Sequence, residues 1–151
     1  MEKYLFIKET QEHIKNVGKY LSIIIQELVK RAVEHDMSKI GDEIESTIFT
    51  KYTPKLKEST YGSEEYKTFL KEMGKGLEHH YKSNNHHPEF YDNGVNGMNL
   101  MDLIEMFCDW KAATLRHKDG DLLRSIEQNQ QRFGYGNEIK QILINTMHII
   151  N

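Results

Sequence analysis

The chain has 151 residues, 38% hydrophobic and 28% charged, with two prolines and one cysteine. That is the length of one domain and the composition of a folded protein, which excludes a disordered segment. A net charge of −3, from 20 basic and 23 acidic side chains interleaved along the chain, excludes the broad positive field that a generic nucleic-acid binder needs.

The elements read as helices joined by polar turns. Ile14, Val17, Leu21, Ile24 and Leu28 recur by threes and fours, the spacing of one buried helical stripe, with Thr10 as its N-cap. The pattern continues through Val33 and stops at His35-Asp36-Met37-Ser38-Lys39. A short helix is expected over residues 40–49. Residues 51–62, with Pro54, Ser59, Thr60 and Gly62, show no sustained period and are expected to form a surface loop.

Ser63 followed by Glu64 and Glu65 opens a helix to about residue 81, with Tyr66, Phe69, Leu70, Met73 and Leu77 on its buried face. The turn formers between residues 83 and 97 predict an irregular excursion. A further helix runs from Asn99 to about His117, and Cys108, between apolar neighbours, is expected to be buried in it. Residues 118–121 break that helix. Helices over 122–133 and 137–149, separated by Gly134-Tyr135-Gly136, complete an all-α chain of about five to seven helices in one domain, residues 1–151.

No stretch reaches the ~20 apolar residues of a membrane span, and the apolar run at the start is too short for a signal peptide. A lone cysteine makes no internal disulfide. A cytoplasmic protein is expected.

The chemistry lies in histidines and carboxylates. Four of the eight histidines, His79, His80, His86 and His87, fall within nine residues. Such crowding of imidazoles near carboxylates points to a divalent transition metal: manganese, iron, cobalt, nickel or zinc. Neighbours on a helix differ by about 100°, so one member of each pair is expected to bind. His80 and His86 are the choices, with His87 kept in the ligand set. His35-Asp36 adds an imidazole and a carboxylate, and Ser38-Lys39 a hydroxyl and an ammonium. Glu105 and Asp109, four apart, share a helical face. Asp109 sits among Phe107, Cys108 and Trp110, where a carboxylate needs a cation or hydrogen bonds.

The order His13, His35-Asp36, two histidine pairs, Asp109 resembles that of the HD-domain superfamily of metal-dependent phosphohydrolases. His35-Asp36-Met37-Ser38-Lys39 is similar to the His-Asp-x-Gly-Lys of the HD-GYP branch, and His86-His87-Pro88-Glu89 to its His-His-Glu loop. The strings HDxSK, HHxxxNxHHPE and EMxxDWKAA together resemble a small group of bacterial and phage proteins in this superfamily. The resemblance covers about residues 13–114. No Gly-Tyr-Pro follows the second pair, so cyclic-di-GMP hydrolysis is not implied.

The resemblance implies an HD-like helical bundle holding one or two ions through His13, His35, Asp36, His80, His86, His87 and Asp109. Metal-activated water would then attack a nucleotide or other small phosphate ester. Asp36 acts at the metal, Lys39 contacts the phosphate, and Glu105 orients the water or a ligating histidine. Arg132 is the preferred additional phosphate contact, with Arg116 and Arg124 behind it. His13 carries a condition. It lies 22 residues before His35, about 33 Å along an unbroken helix, so either the chain turns back near residues 22–27 or His13 caps or packs. Two other functions stay open: an HD-like di-iron oxygenase, and a non-catalytic protein that binds nucleotide or metal.

Overall fold

A computed structural model describes residues 2–60, 62–116 and 120–150. Among the described residues the chain is all-helical. It divides into two units, Met1–His35 and Asp36–Asn151.

The first unit is one helix, α1 (Glu2–Glu34), of 33 residues without an interruption. Thr10 does not cap it. Its hydroxyl donates to the Phe6 carbonyl at 2.9 Å, inside a helix that already begins at Glu2. The stripe itself is not buried: Ile14, Val17, Leu21 and Ile24 are all exposed. No turn occurs at residues 22–27, so the helical rise keeps His13 about 33 Å from His35. The two cannot ligate one ion within a chain, and the ligand role expected for His13 is corrected to that of an exposed residue on α1.

The second unit holds α2 (Ser38–Gly41), α3 (Glu43–Glu58), α4 (Glu64–Ser83), α5 (Leu100–Thr114), α6 (Leu122–Phe133) and α7 (Asn137–Thr146), with 3-10 turns at Pro88–Phe90, Gly94–Gly97 and Met147–Ile149. The loop expected over residues 51–62 is mostly helix, because α3 continues to Glu58 with Pro54 inside it. A proline inside a helix loses its own N–H bond and crowds the carbonyl four residues before it. Here Tyr52 is buried and Leu56 half-buried on either side of it, so packing outweighs the local penalty.

Ser63 caps α4 as expected, accepting from the Tyr66 N–H at 3.1 Å. Gly74 interrupts α4 at φ 48°, ψ −123°, a conformation that suits glycine. Two residues on, Gly76 presses against α3 so closely that a Cβ would meet Ile48 Cγ1 at 2.4 Å. The close approach of α3 and α4 sets the distance between the carboxylate of one and the histidines of the other.

Asn99 and Asp102 form a reciprocal capping box at the start of α5. The expected end of that helix, His117, and Lys118 and Asp119 of the expected break lie outside the described residues. Cys108 is exposed rather than buried, one helical step around from the buried Phe107. Helix α6 has the expected bounds and ends at Gly134, which adopts the left-handed conformation at φ 68°. The core of this part packs Met106, Phe107 and Trp110 of α5 against Leu122 and Ile126 of α6, with Tyr135 and Leu143. Trp110 stacks on Phe133 and Tyr135, and the Tyr135 hydroxyl donates to the Ile126 carbonyl at 2.6 Å. This core leaves Glu105 and Asp109, on another side of α5, to the site.

Candidate metal centre

The excursion between α4 and α5 carries the second histidine pair and is held at several points. Tyr91 donates to Asp102 at 2.7 Å, and Asp102, fully buried, also accepts the Asn99 N–H at 2.8 Å. Arg132 of α6 donates to Glu89 at 2.6 Å and lies 5.3 Å over the Tyr81 ring, which in turn contacts His87. The chain therefore returns toward α4 and brings His86 and His87 against His80.

Four ligand atoms, one each from Asp36, His80, His86 and His87, lie within 4.8 Å of one another. His80 Nε2 faces Asp36 Oδ1 at 3.3 Å and His87 Nε2 at 3.0 Å, and His86 Nε2 faces the same Asp36 oxygen at 3.6 Å. Adjacent donors around one ion, each bonded at ~2.1 Å, stand roughly 3.0–3.4 Å apart. A carboxylate oxygen of Asp109 lies within 4.8 Å of one of Asp36. Neutral imidazoles with one or two carboxylates suit a divalent transition ion, so the residues fit the group that the sequence implies.

The tautomers follow from the carboxylates behind the histidines. His80 Nδ1 is 2.8 Å from Glu45 Oε2 and His79 Nδ1 is 3.0 Å from Glu45 Oε1. An ionised carboxylate only accepts, so Nδ1 of His80 carries the proton and Nε2 presents its lone pair to the cluster. His86 Nδ1 meets Glu105 Oε1 at 3.3 Å and is oriented the same way. Glu45 has no exposed surface and also accepts the Ser38 hydroxyl at 2.7 Å. Asn84 donates to Ser38 at 3.0 Å and to the His80 carbonyl at 2.9 Å, which completes the support.

Burial pushes the Glu45 carboxyl up, but the hydrogen bonds from Ser38 and His80, the attraction of His80 and the bond from His79 hold it below its ordinary 4.5. Burial drives His87 down to about 2, with repulsion from His86 and His80 adding to it against the pull of Asp109 and Asp36. A histidine kept neutral keeps its lone pair for a metal.

Asp36 is the junction. Its backbone is left-handed at φ 59°, and its Oδ2 pairs with Lys39 Nζ at 2.5 Å while Oδ1 faces the histidines. Lys39 also stands 4.6 Å over the Phe49 ring. Both Asp36 and Lys39 line a cavity of about 640 Å³ that continues past Phe49 to Lys57 and Arg116.

The sequence-predicted residues thus divide. Asp36, His80, His86 and His87 converge, Asp109 stands beside Asp36, and Glu105 backs His86. His35 ends the first unit, its N–H bonded to the Arg31 carbonyl at 2.7 Å, and its ligand role rests on the His-Asp string. Arg132 is not at the cavity among the described residues. It is committed to Glu89 and to the faces of Tyr81 and Phe133, so the substrate contact expected of it is corrected to an anchor of the histidine loop. Glu45 is a site residue that the motifs did not indicate. The signal was its place one turn before Phe49 and two before Tyr52, an acid on an apolar stripe.

The anchoring role makes a prediction. Arg132→Ala is expected to cost about 1 kcal/mol in urea unfolding of the metal-free protein, the sum of a partly exposed ion pair and a cation–π contact. Metal stoichiometry should be retained.

Fold and donor set together define a small all-helical protein with a candidate histidine–carboxylate centre. Over residues 2–151 the chain matches the family of unknown function DUF5662, and it belongs to that family. Comparison with curated proteins and with solved structures gives no match. No helix among the described residues is long and apolar enough to cross a membrane.

Proposed function

We propose that this protein is an HD-type, metal-dependent phosphohydrolase acting on a nucleotide or another small phosphate ester, in the reducing cytoplasm that its lone cysteine suits. The observation that carries the reading is the convergence of Asp36, His80, His86 and His87, four donors within 4.8 Å of one another, of which Asp36 also lines the cavity. A bound divalent ion supplies a water of lowered pKa and polarises a phosphoryl oxygen. The chain does the rest. Glu45 and Glu105 hold the protons of His80 and His86 on Nδ1, leaving both Nε2 atoms to bind. Lys39 balances the Asp36 carboxylate and stands in the cavity wall, where its ammonium meets phosphate charge.

The test is elemental analysis of the purified protein, followed by phosphate release from a nucleotide panel with manganese, iron, cobalt, nickel or zinc. Stoichiometric transition metal and metal-dependent release are expected. Absence of both overturns the reading. Dioxygen consumption by iron-loaded protein, without phosphate release, replaces it with an oxygenase. Nucleotide binding without turnover replaces it with a binding protein.

A further inference from the structure

The cavity beside the metal centre, at about 640 Å³, is larger than a phosphate needs, and Lys39, Lys57 and Arg116 all line it. Helix α3 supplies Glu45 to the site, Phe49 and Leu56 to the cavity wall, and Lys57 beyond them. Lys57 is eight residues past Phe49, about 12 Å along a helix axis, and Phe49 is the residue that touches both Lys39 and His80. Arg116 follows Asp109 by seven residues on the α5 side, about 10 Å at helical rise. Both cations line the same cavity as Asp36 and Lys39, yet each is displaced along its own element from the carboxylate that serves the site. The same lining includes the apolar and aromatic Phe49, Leu56 and Tyr66. Lys39 already faces Asp36, whereas Lys57 and Arg116 are both exposed.

We infer that the cavity takes an elongated substrate with an anionic group at each end: the scissile phosphate at Asp36 and Lys39, and a second phosphate or carboxylate about 10 Å away, met by Lys57 and Arg116. An aromatic or apolar body spans the middle against Phe49, Leu56 and Tyr66. This rests on the phosphohydrolase reading for the first anion and deepens it by naming a second. Arginine and lysine recognise such a group through charge-assisted hydrogen bonds, and a lining with aromatic Phe49 and Tyr66 suits a ring system better than a flexible polar chain.

A matched pair of probes reads the second site. Biphenyl-4-yl phosphate carries one anion, and biphenyl-4,4′-diyl bisphosphate carries a second at the far end of the same rigid body. With manganese-loaded wild type, the bisphosphate is expected to show a KM about tenfold lower. In the Lys57→Ala, Arg116→Ala double variant the two KM values should converge to within about twofold. Equal KM values in the wild type, or a preference that survives in the double variant, overturn the inference. Should neither probe be hydrolysed, the nucleotide panel decides the phosphohydrolase reading, and calorimetry of the same pair still decides the cavity. Tighter binding of the bisphosphate that the double variant loses supports the inference, and equal binding sinks it.

Discussion

Asp36→Asn is expected to leave a folded protein that no longer retains metal and has lost roughly 10³-fold or more of any metal-dependent activity. The substitution isolates charge from shape. Asp36 sits at φ 59°, where most side chains are strained but asparagine, like aspartate, is tolerated. The amide preserves volume and backbone, and removes the one negative group that faces both His80 Nε2 and His86 Nε2. It also frees Lys39, whose ammonium pairs with the other oxygen. The site then keeps three imidazoles with Asp109 nearby, loses its central carboxylate and gains an unpaired ammonium, which weakens its hold on a divalent ion. Asp36→Ala adds a backbone cost of about 1–2 kcal/mol from the left-handed conformation, so the two variants should share the metal defect and differ in urea midpoint. Full metal occupancy in Asp36→Asn, measured by elemental analysis after gel filtration, would place the centre elsewhere.

The elements that could be read from the sequence were those with strong local signals. Ser63, Asn99 and Gly134 mark helix ends by chemistry that acts within a few residues, and they mark them in the structure. Residues 51–58 were misread because Pro54 and the polar residues around it speak locally for a loop, while the burial of Tyr52 that holds α3 together is a tertiary fact. The histidine cluster was legible as a cluster, and the 100° rule separated His79 from His80 in the way they are found: His79 on the outer oxygen of Glu45, His80 in the cluster. It failed for His86 and His87. Those residues are not helical, and both enter the cluster, their ring centroids 4.2 Å apart. The partners of Glu45 and Arg132 were not visible, because each depends on what the fold brings to it from 35 or more positions away.

Acidification should destabilise the metal-free protein through two contributions that begin at different pH. His87 has an ordinary pKa of 6.5 and is driven down to about 2 in the folded chain, chiefly by burial. Below about pH 6.5 the unfolded chain therefore takes up a proton that the folded chain refuses, and stability falls by about 1.4 kcal/mol per pH unit until the folded value is reached. Glu45 is also held below its ordinary value, its hydrogen bonds from Ser38, His80 and His79 outweighing burial. Its contribution is complete above about pH 4.5 and is lost as the pH falls through the depressed folded value. The signs agree, and the Glu45 loss adds to a His87 loss already under way. Urea unfolding in the presence of a chelator at pH 7.5, 5.5 and 4.0 should show the first loss between the upper two values and a steeper one below. His87→Gln should reduce the loss over both intervals, and Glu45→Gln should remove only the added steepness below about pH 4.5. Glu45→Gln should also weaken metal binding by about 10–100-fold at neutral pH, because an amide cannot accept from both His79 and His80 and so releases the tautomer of the ligating ring. An unchanged slope in His87→Gln between pH 7.5 and 5.5 would show that His87 does not stand neutral and buried beside His80 and His86, and with it would go the spacing that makes the three histidines a site.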